Sequence, residues 1–168
     1  ERPSVSACYV FFDVDDTLVE WTVRWREVFA RVAAEAGVEA TVAQAEEALT
    51  KAFTTFYGDT IRQYAAGGDL REFWVDYDGR ILALLGVKND LRRHAERVVD
   101  LLQRPDNIRL YPEAKEVLER LAGAGARLGI VTGRPQAGPD LEMLGVRHYF
   151  DPVIDAFGAA GIKAEGEM

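Results

Sequence analysis

Asp13-Val14-Asp15-Asp16-Thr17 ends an uninterrupted apolar run, Ala7-Cys8-Tyr9-Val10-Phe11-Phe12. Side chains two apart on an extended segment project to the same side, so Asp13 and Asp15 can face one crevice. Crowded carboxylates resist ionising together, which suits chemistry that divides labour between an anionic nucleophile and a proton donor. The plainer use of Asp15, Asp16 and Thr17 is a solvated turn or a cap for the next helix. A second polar cluster, Thr132-Gly133-Arg134-Pro135, follows the apolar segment Arg127-Leu128-Gly129-Ile130-Val131. Ligand sites of open parallel sheets lie beyond the carboxyl ends of the strands, which singles out Asp13 and Thr132.

The elements around these clusters must place them together. The first run, aromatic and β-branched without polar alternation, predicts a strand covered on both faces. From about Glu20 to Gln103 the period becomes helical. Trp21, Trp25, Val28, Phe29, Val32 and Ala36 recur at three- and four-residue steps and Gly37 stops the helix, which assigns both tryptophans to a core. Thr41 with Gln44 predicts a capping box for a second helix reaching about Tyr57. Asp69 with Glu72 starts a third, burying Phe73, Trp74, Ile81, Leu82 and Leu85. Asn89 or Asp90 starts a fourth, with Leu91, Ala95, Val98, Val99 and Leu102 on its stripe. Pro105-Asp106-Asn107 breaks the run. A helix after Tyr111-Pro112 with Val117, Leu118 and Leu121 inward, a strand at Arg127–Val131, a short helix from Asp140 to Leu144 and a strand at Pro152–Ile154 follow. Alternating strands and helices predict an α/β fold with an open parallel sheet, interrupted by a helical bundle.

Composition narrows the partners. The 168 residues carry 20 Lys and Arg against 28 Asp and Glu, a net charge of -8. Such a surface repels nucleic acid and anionic membrane. No apolar run approaches the roughly 20 residues that span a bilayer, and the N-terminus lacks the plan of a signal peptide. The single Cys8 excludes an internal disulfide and fits a reducing cytoplasm. The chain starts at Glu1 rather than Met, so trimming, processing or a longer protein is expected.

Phe11-Phe12-Asp13-Val14-Asp15-Asp16-Thr17-Leu18-Val19 closely resembles the first motif of the haloacid dehalogenase superfamily, and Gly129-Ile130-Val131-Thr132-Gly133-Arg134 resembles the second. The helical block between them resembles the superfamily's inserted cap. Tyr111-Pro112-Glu113-Ala114 resembles the segment before the second motif, and His148-Tyr149-Phe150-Asp151 the approach to the third strand. The resemblance implies a Rossmann-like core over residues 1–19 and 106–168 and an α-helical cap over 20–105, hinged near Val19-Glu20 and Pro105-Asp106. It implies that Asp13 is the nucleophile and Asp15 the proton donor and acceptor, with Thr132, Gly133 and Arg134 at the phosphoryl oxygens. Lys163, in Gly161-Ile162-Lys163-Ala164-Glu165, takes the place of the third-motif lysine although the usual following proline is missing. Mg2+ is the implied cofactor, held by the Asp13 carboxylate and the Asp15 backbone carbonyl. The fourth motif, with further acidic metal ligands, has no counterpart before Met168, so a missing C-terminal part is expected.

Within that resemblance Asp15 selects the reaction. Displacing halide from carbon needs no proton, and the dehalogenase motif usually lacks an acid here, whereas cleaving a phosphate ester needs one. The sequence therefore predicts a phosphatase for a small phosphorylated metabolite, nearest the phosphoglycolate-phosphatase-like subgroup. A phosphomutase, a 2-haloacid dehalogenase and a non-catalytic phospho-ligand binder are the alternatives. A receiver domain, which also pairs acids after its first strand, lacks the large insertion and carries its phospho-accepting Asp on a middle strand. The cap is expected to exclude water and select the leaving group. His94 and His148 lack metal-ligand company and read as structural, and Asp16 reads as shaping the turn. Arg24, Arg26, Arg62 and Tyr64 read as solvated or packed. The implied partner is a phosphate ester, with no nucleic acid, no membrane and no assigned oligomeric state.

Overall fold

The computed structural model describes residues 8–159, which divide into two compact units. In chain order the strands and α-helices are β1 (Tyr9–Phe12), β2 (Val19–Trp21), α1 (Trp25–Glu35), α2 (Val42–Ala52), α3 (Gly58–Tyr64), α4 (Leu70–Leu84), α5 (Leu91–Leu102), β3 (Ile108–Leu110), α6 (Ala114–Gly123), β4 (Arg127–Val131), α7 (Gly138–Met143) and β5 (Phe150–Ile154). Among the described residues no helix is long and apolar enough to cross a membrane.

Residues 8–21 and 108–159 form the sheet unit. β1, β4 and β5 lie side by side in that order, and both pairings are parallel. Right-handed crossovers that advance in one direction across a sheet leave their helices on one face. Ala114 and Leu118 of α6 and Leu141 of α7 accordingly share one core with Val10, Phe12, Leu128, Ile130 and Phe150. On the other face Tyr9 and Phe11 are 47% and 50% exposed. The expectation of a first strand covered on both faces thus gives way, among the described residues, to one covered on a single face. In α6 the inward positions are Ala114 and Leu118, with Leu121 packed beside them. These lie four and three residues apart, and Val117, expected inside, is rotated off that stripe and is 40% exposed.

A short antiparallel pair, β2 with β3, overturns the expectation of a helical pattern starting at about Glu20. The register sets Val19 opposite Leu110, Glu20 opposite Arg109 and Trp21 opposite Ile108. Arg109 Nε meets Glu20 Oε1 at 2.7 Å across the pair, an opposite-charge contact that favours this register. Trp21 therefore leaves the helical stripe, and α1 begins only at Trp25.

Residues 22–107 form the helical unit. The Thr41 hydroxyl accepts from the Gln44 N–H, and the Gln44 side chain accepts from the Thr41 N–H, completing the capping box of α2. The helical path then continues through a π-helical turn, Phe53–Tyr57, into α3. Asp69 caps α4 by accepting from the Glu72 N–H at 3.0 Å. Phe29, Val32, Ile81, Leu82, Val98 and Leu102 anchor this unit's core, where Trp25 meets Trp74 edge to face.

Candidate active site

The turn after β1 is built around Val14. Its side chain is buried in the sheet unit's core, and its carbonyl accepts from the N–H groups of Leu18 at 2.9 Å and Val19 at 3.0 Å. Asp16 adopts φ +57° and donates its N–H to the Val19 carbonyl at 2.9 Å. Aspartate tolerates this left-handed conformation better than a β-branched residue, which supports the turn-shaping use of Asp16. With Val14 facing the core, the flanking Asp13 is exposed and Asp15 half-buried.

The parallel register pairs Phe12 with Ile130. Asp13 thus leaves the sheet beside the segment that carries Val131 and Thr132, at a strand spacing of about 4.8 Å. Thr132 donates its N–H to the Ile154 carbonyl at 3.0 Å, and its hydroxyl accepts from the Arg134 N–H at 3.4 Å. The following loop is tied to the end of β5. Ala156 donates to the Arg134 carbonyl at 2.7 Å, Phe157 donates to the Pro135 carbonyl at 3.0 Å, and Ala137 donates to Asp155 Oδ2 at 3.1 Å. Gly133 is exposed at the apex of this loop.

Asp15 is held at both oxygens. The Trp21 indole Nε1–H donates to Oδ1 at 2.8 Å, and Arg134 Nε lies 3.3 Å from Oδ2. The guanidinium carbon stands 5.2 Å from the centre of the Trp21 ring, within cation–π range. Arg134 is only 8% exposed, and its Nη1 pairs with Asp140 Oδ2 at 2.9 Å, outside the alignment of a hydrogen bond. Burial raises the Asp140 carboxyl above its ordinary range, the Arg134 cation opposes that rise, and the Asp15 carboxylate adds to it. One guanidinium thus lies between two carboxyl groups.

Asp13, Asp15, Thr132, Gly133 and Arg134 all fall on the carboxyl-end loops of β1 and β4, whereas Lys163 lies outside the described residues. The guanidinium of Arg134 is turned inward onto carboxylates. Trp21, Asp140 and Asp155 were not foreseen at this edge. Trp21 matches the period of α1, and only the Val19-Glu20-Trp21 alternation hints at a strand. Asp140, six residues beyond Arg134, carries no recognisable pairing signal.

Hard oxygen donors suit Mg2+, which binds one or two carboxylates and keeps waters and substrate oxygens in its remaining positions. The exposed Asp13 carboxylate and the Asp15 backbone carbonyl are donors of this type, and the bonds closing the turn use the carbonyls of Val14 and Val19 instead. Among the described residues no cluster of three or more His, Cys, Asp or Glu is arranged around a metal position. The Asp13 carboxylate and the Asp15 carbonyl fit the ion in type.

The family model for haloacid dehalogenase-like hydrolases matches residues 9–168. Among solved structures, a Thermotoga maritima protein assigned as a β-phosphoglucomutase is 22% identical with a TM-score of 0.57, covering 90% of this chain and 62% of that one. A predicted phosphoglycolate phosphatase from Haemophilus somnus 129PT is 19% identical with a TM-score of 0.50, covering 89% and 62% respectively. A 2-haloacid dehalogenase from Pseudomonas syringae pv. Tomato DC3000 is 19% identical with a TM-score of 0.52, covering 96% and 73%. The chain thus spans 62% of the length of the first two structures, and at these identities the likeness is one of fold. No curated protein matches the sequence.

Proposed function

Because the chain belongs to the haloacid dehalogenase-like hydrolase family, we propose that it hydrolyses a small phosphate monoester through an aspartyl-phosphate on Asp13. The Asp13 carboxylate attacks phosphorus in line, the P–O bond to the alcohol breaks, and Asp15 gives its proton to the departing oxygen. Asp15 then takes a proton from the water that attacks the aspartyl-phosphate, releasing inorganic phosphate and restoring Asp13. The Thr132 hydroxyl and the N–H groups of the turn after β4 hold phosphoryl oxygens, where preorganised donors stabilise developing charge. Lys163 adds positive charge to the same group by its place in the motif. Bound Mg2+, held by the Asp13 carboxylate and the Asp15 carbonyl, supplies charge that offsets repulsion between nucleophile and substrate. The helical unit is the proposed cap that selects the leaving group, and the cysteine content supports a cytoplasmic setting.

The observation that carries this reading is the arrangement of strand ends. Asp13 and Thr132 follow adjacent parallel strands in register, and Asp15 is anchored two residues beyond the first. Halide displacement from carbon has no use for that second, braced carboxylate, which favours phosphate over halide. The full chain with Mg2+ is expected to hydrolyse p-nitrophenyl phosphate, and Asp13→Asn to lower turnover by about 1000-fold or more without changing the circular dichroism spectrum. Silence across a broad panel of phosphate esters, or an Asp13→Asn protein that retains turnover, overturns the proposal.

A further inference from the structure

We infer that Trp21, Arg134 and Asp140 are positioning residues that bracket the Asp15 carboxylate, and that the Arg134 guanidinium serves this bracket rather than the phosphoryl group of a substrate. The kinetic consequences rest on the phosphatase reading above, whereas the bracket itself does not.

Oδ1 of Asp15 accepts a hydrogen bond and Oδ2 faces a cation. Indole offers one N–H and no acceptor, and here it is spent on Asp15 Oδ1 at 2.8 Å. Arg134 approaches Oδ2 through Nε at 3.3 Å while Nη1 reaches Asp140 at 2.9 Å, a division between two separate nitrogens of one rigid plane that a lysine ammonium, with its single nitrogen, does not reproduce in the same geometry. The Trp21 ring packs against the guanidinium at 5.2 Å, so one side chain both donates to Asp15 and supports its other partner. The backbone around Arg134 is tied at its N–H to Thr132 and at its carbonyl to Ala156. A guanidinium 8% exposed depends on its carboxylates to offset lost hydration, and reaching a phosphoryl oxygen would forfeit them. A carboxylate with an N–H at one oxygen and a guanidinium at the other is also restrained in rotation, and proton transfer needs donor and acceptor within about 2.6–3.2 Å of each other.

The test compares Trp21→Phe, Arg134→Lys and Asp140→Asn with the parent full chain. Trp21→Phe deletes the donor and keeps a ring against the guanidinium. Misplacing a reacting group by about 1 Å can cost about 100-fold. The bracket therefore predicts that Trp21→Phe and Arg134→Lys lower kcat/KM on alkyl phosphates by about tenfold or more, with little change in kcat/KM on p-nitrophenyl phosphate, because kcat/KM ends at release of the alcohol and excludes the later hydrolysis that uses Asp15 as base. Inhibition by inorganic phosphate should stay unchanged. Equal kcat/KM losses for good and poor leaving groups, or weakened phosphate inhibition in the Arg134→Lys protein alone, overturn the inference. A readout free of turnover is the Trp21 indole N–H resonance, which should move in Asp15→Asn, Arg134→Lys and Asp140→Asn proteins whose other amide resonances persist. An enzyme inactive on every ester overturns the phosphatase reading alone. The resonance then decides the bracket, and an indole N–H that ignores all three substitutions overturns it.

Discussion

At Asp15 the proposed chemistry turns on one transferable proton, and asparagine removes that proton while keeping the side chain's size. Asp15→Asn should slow hydrolysis of an alkyl phosphate by about 100-fold or more, because the alkoxide leaves unprotonated. Its kcat/KM on p-nitrophenyl phosphate should fall far less, since p-nitrophenolate leaves without help and the later hydrolysis, where Asp15 is the base, does not enter kcat/KM. Values of kcat/KM on both esters, measured at one pH and one Mg2+ concentration, check this, and equal losses would remove Asp15 from acid catalysis. The positions of Asp13, Asp15 and Thr132 at the strand ends were legible because apolar runs that stop at polar clusters mark the carboxyl ends of buried strands. The partners of Asp15 were not legible. Trp21 reaches it through pairing with Ile108, a contact across 87 residues that leaves no local trace in the sequence. Arg134 lay in the right loop, but its sequence could not disclose that its guanidinium turns inward onto Asp15 and Asp140.

Among the helices, α4 carries a group its neighbours cannot solvate. Asp78 is 1% exposed in the helical unit, Oδ1 has no hydrogen-bond partner among the described residues, and burial lifts its carboxyl well above the usual range. The folded state then keeps a proton that the unfolded chain loses above about pH 4, so the protein loses stability as pH rises from there toward the raised value. The slope is at most about 1.4 kcal/mol per pH unit for one proton. Asp78→Asn cannot ionise, and its advantage over the parent should therefore widen as pH rises above 4 and close below it. Urea titrations monitored by helical circular dichroism at pH 4, 6 and 8 read this directly, and parallel stability curves would refute it. Element starts in this unit were legible where side chains cap them, as at Thr41 and Asp69. At α5 the start is marked differently, by Asp90 at φ +49° with no side-chain cap. The three-residue strands β2 and β3 were missed because three residues complete neither a period of two nor a period of 3.6.

For the molecule as a whole, the change of period along the chain signalled two kinds of packing, and each unit has its own core. The sheet unit gathers Val14, Leu118, Ile130 and Phe150, while the helical unit gathers Phe29, Ile81, Leu82 and Val98, with no residue common to both clusters. The break between them at Trp21 and Ile108 was not legible at residue precision, since β2 and β3 contribute to the sheet unit residues that continue a helical pattern. Separate cores have a measurable consequence. Leu82 and Leu118 are both fully buried, and truncating a buried leucine to alanine costs about 2–5 kcal/mol through lost transfer energy and the cavity left behind. Native-state hydrogen exchange should therefore show Leu82→Ala lowering protection on α4 and α5 while β4 keeps its own, and Leu118→Ala lowering it on β4 and α6 while α4 keeps its own. Multidomain chains commonly depart from all-or-none unfolding for this reason. Were either substitution to lower protection equally in both units, the chain would be opening as one cooperative body, and the two clusters would have to be treated as a single core.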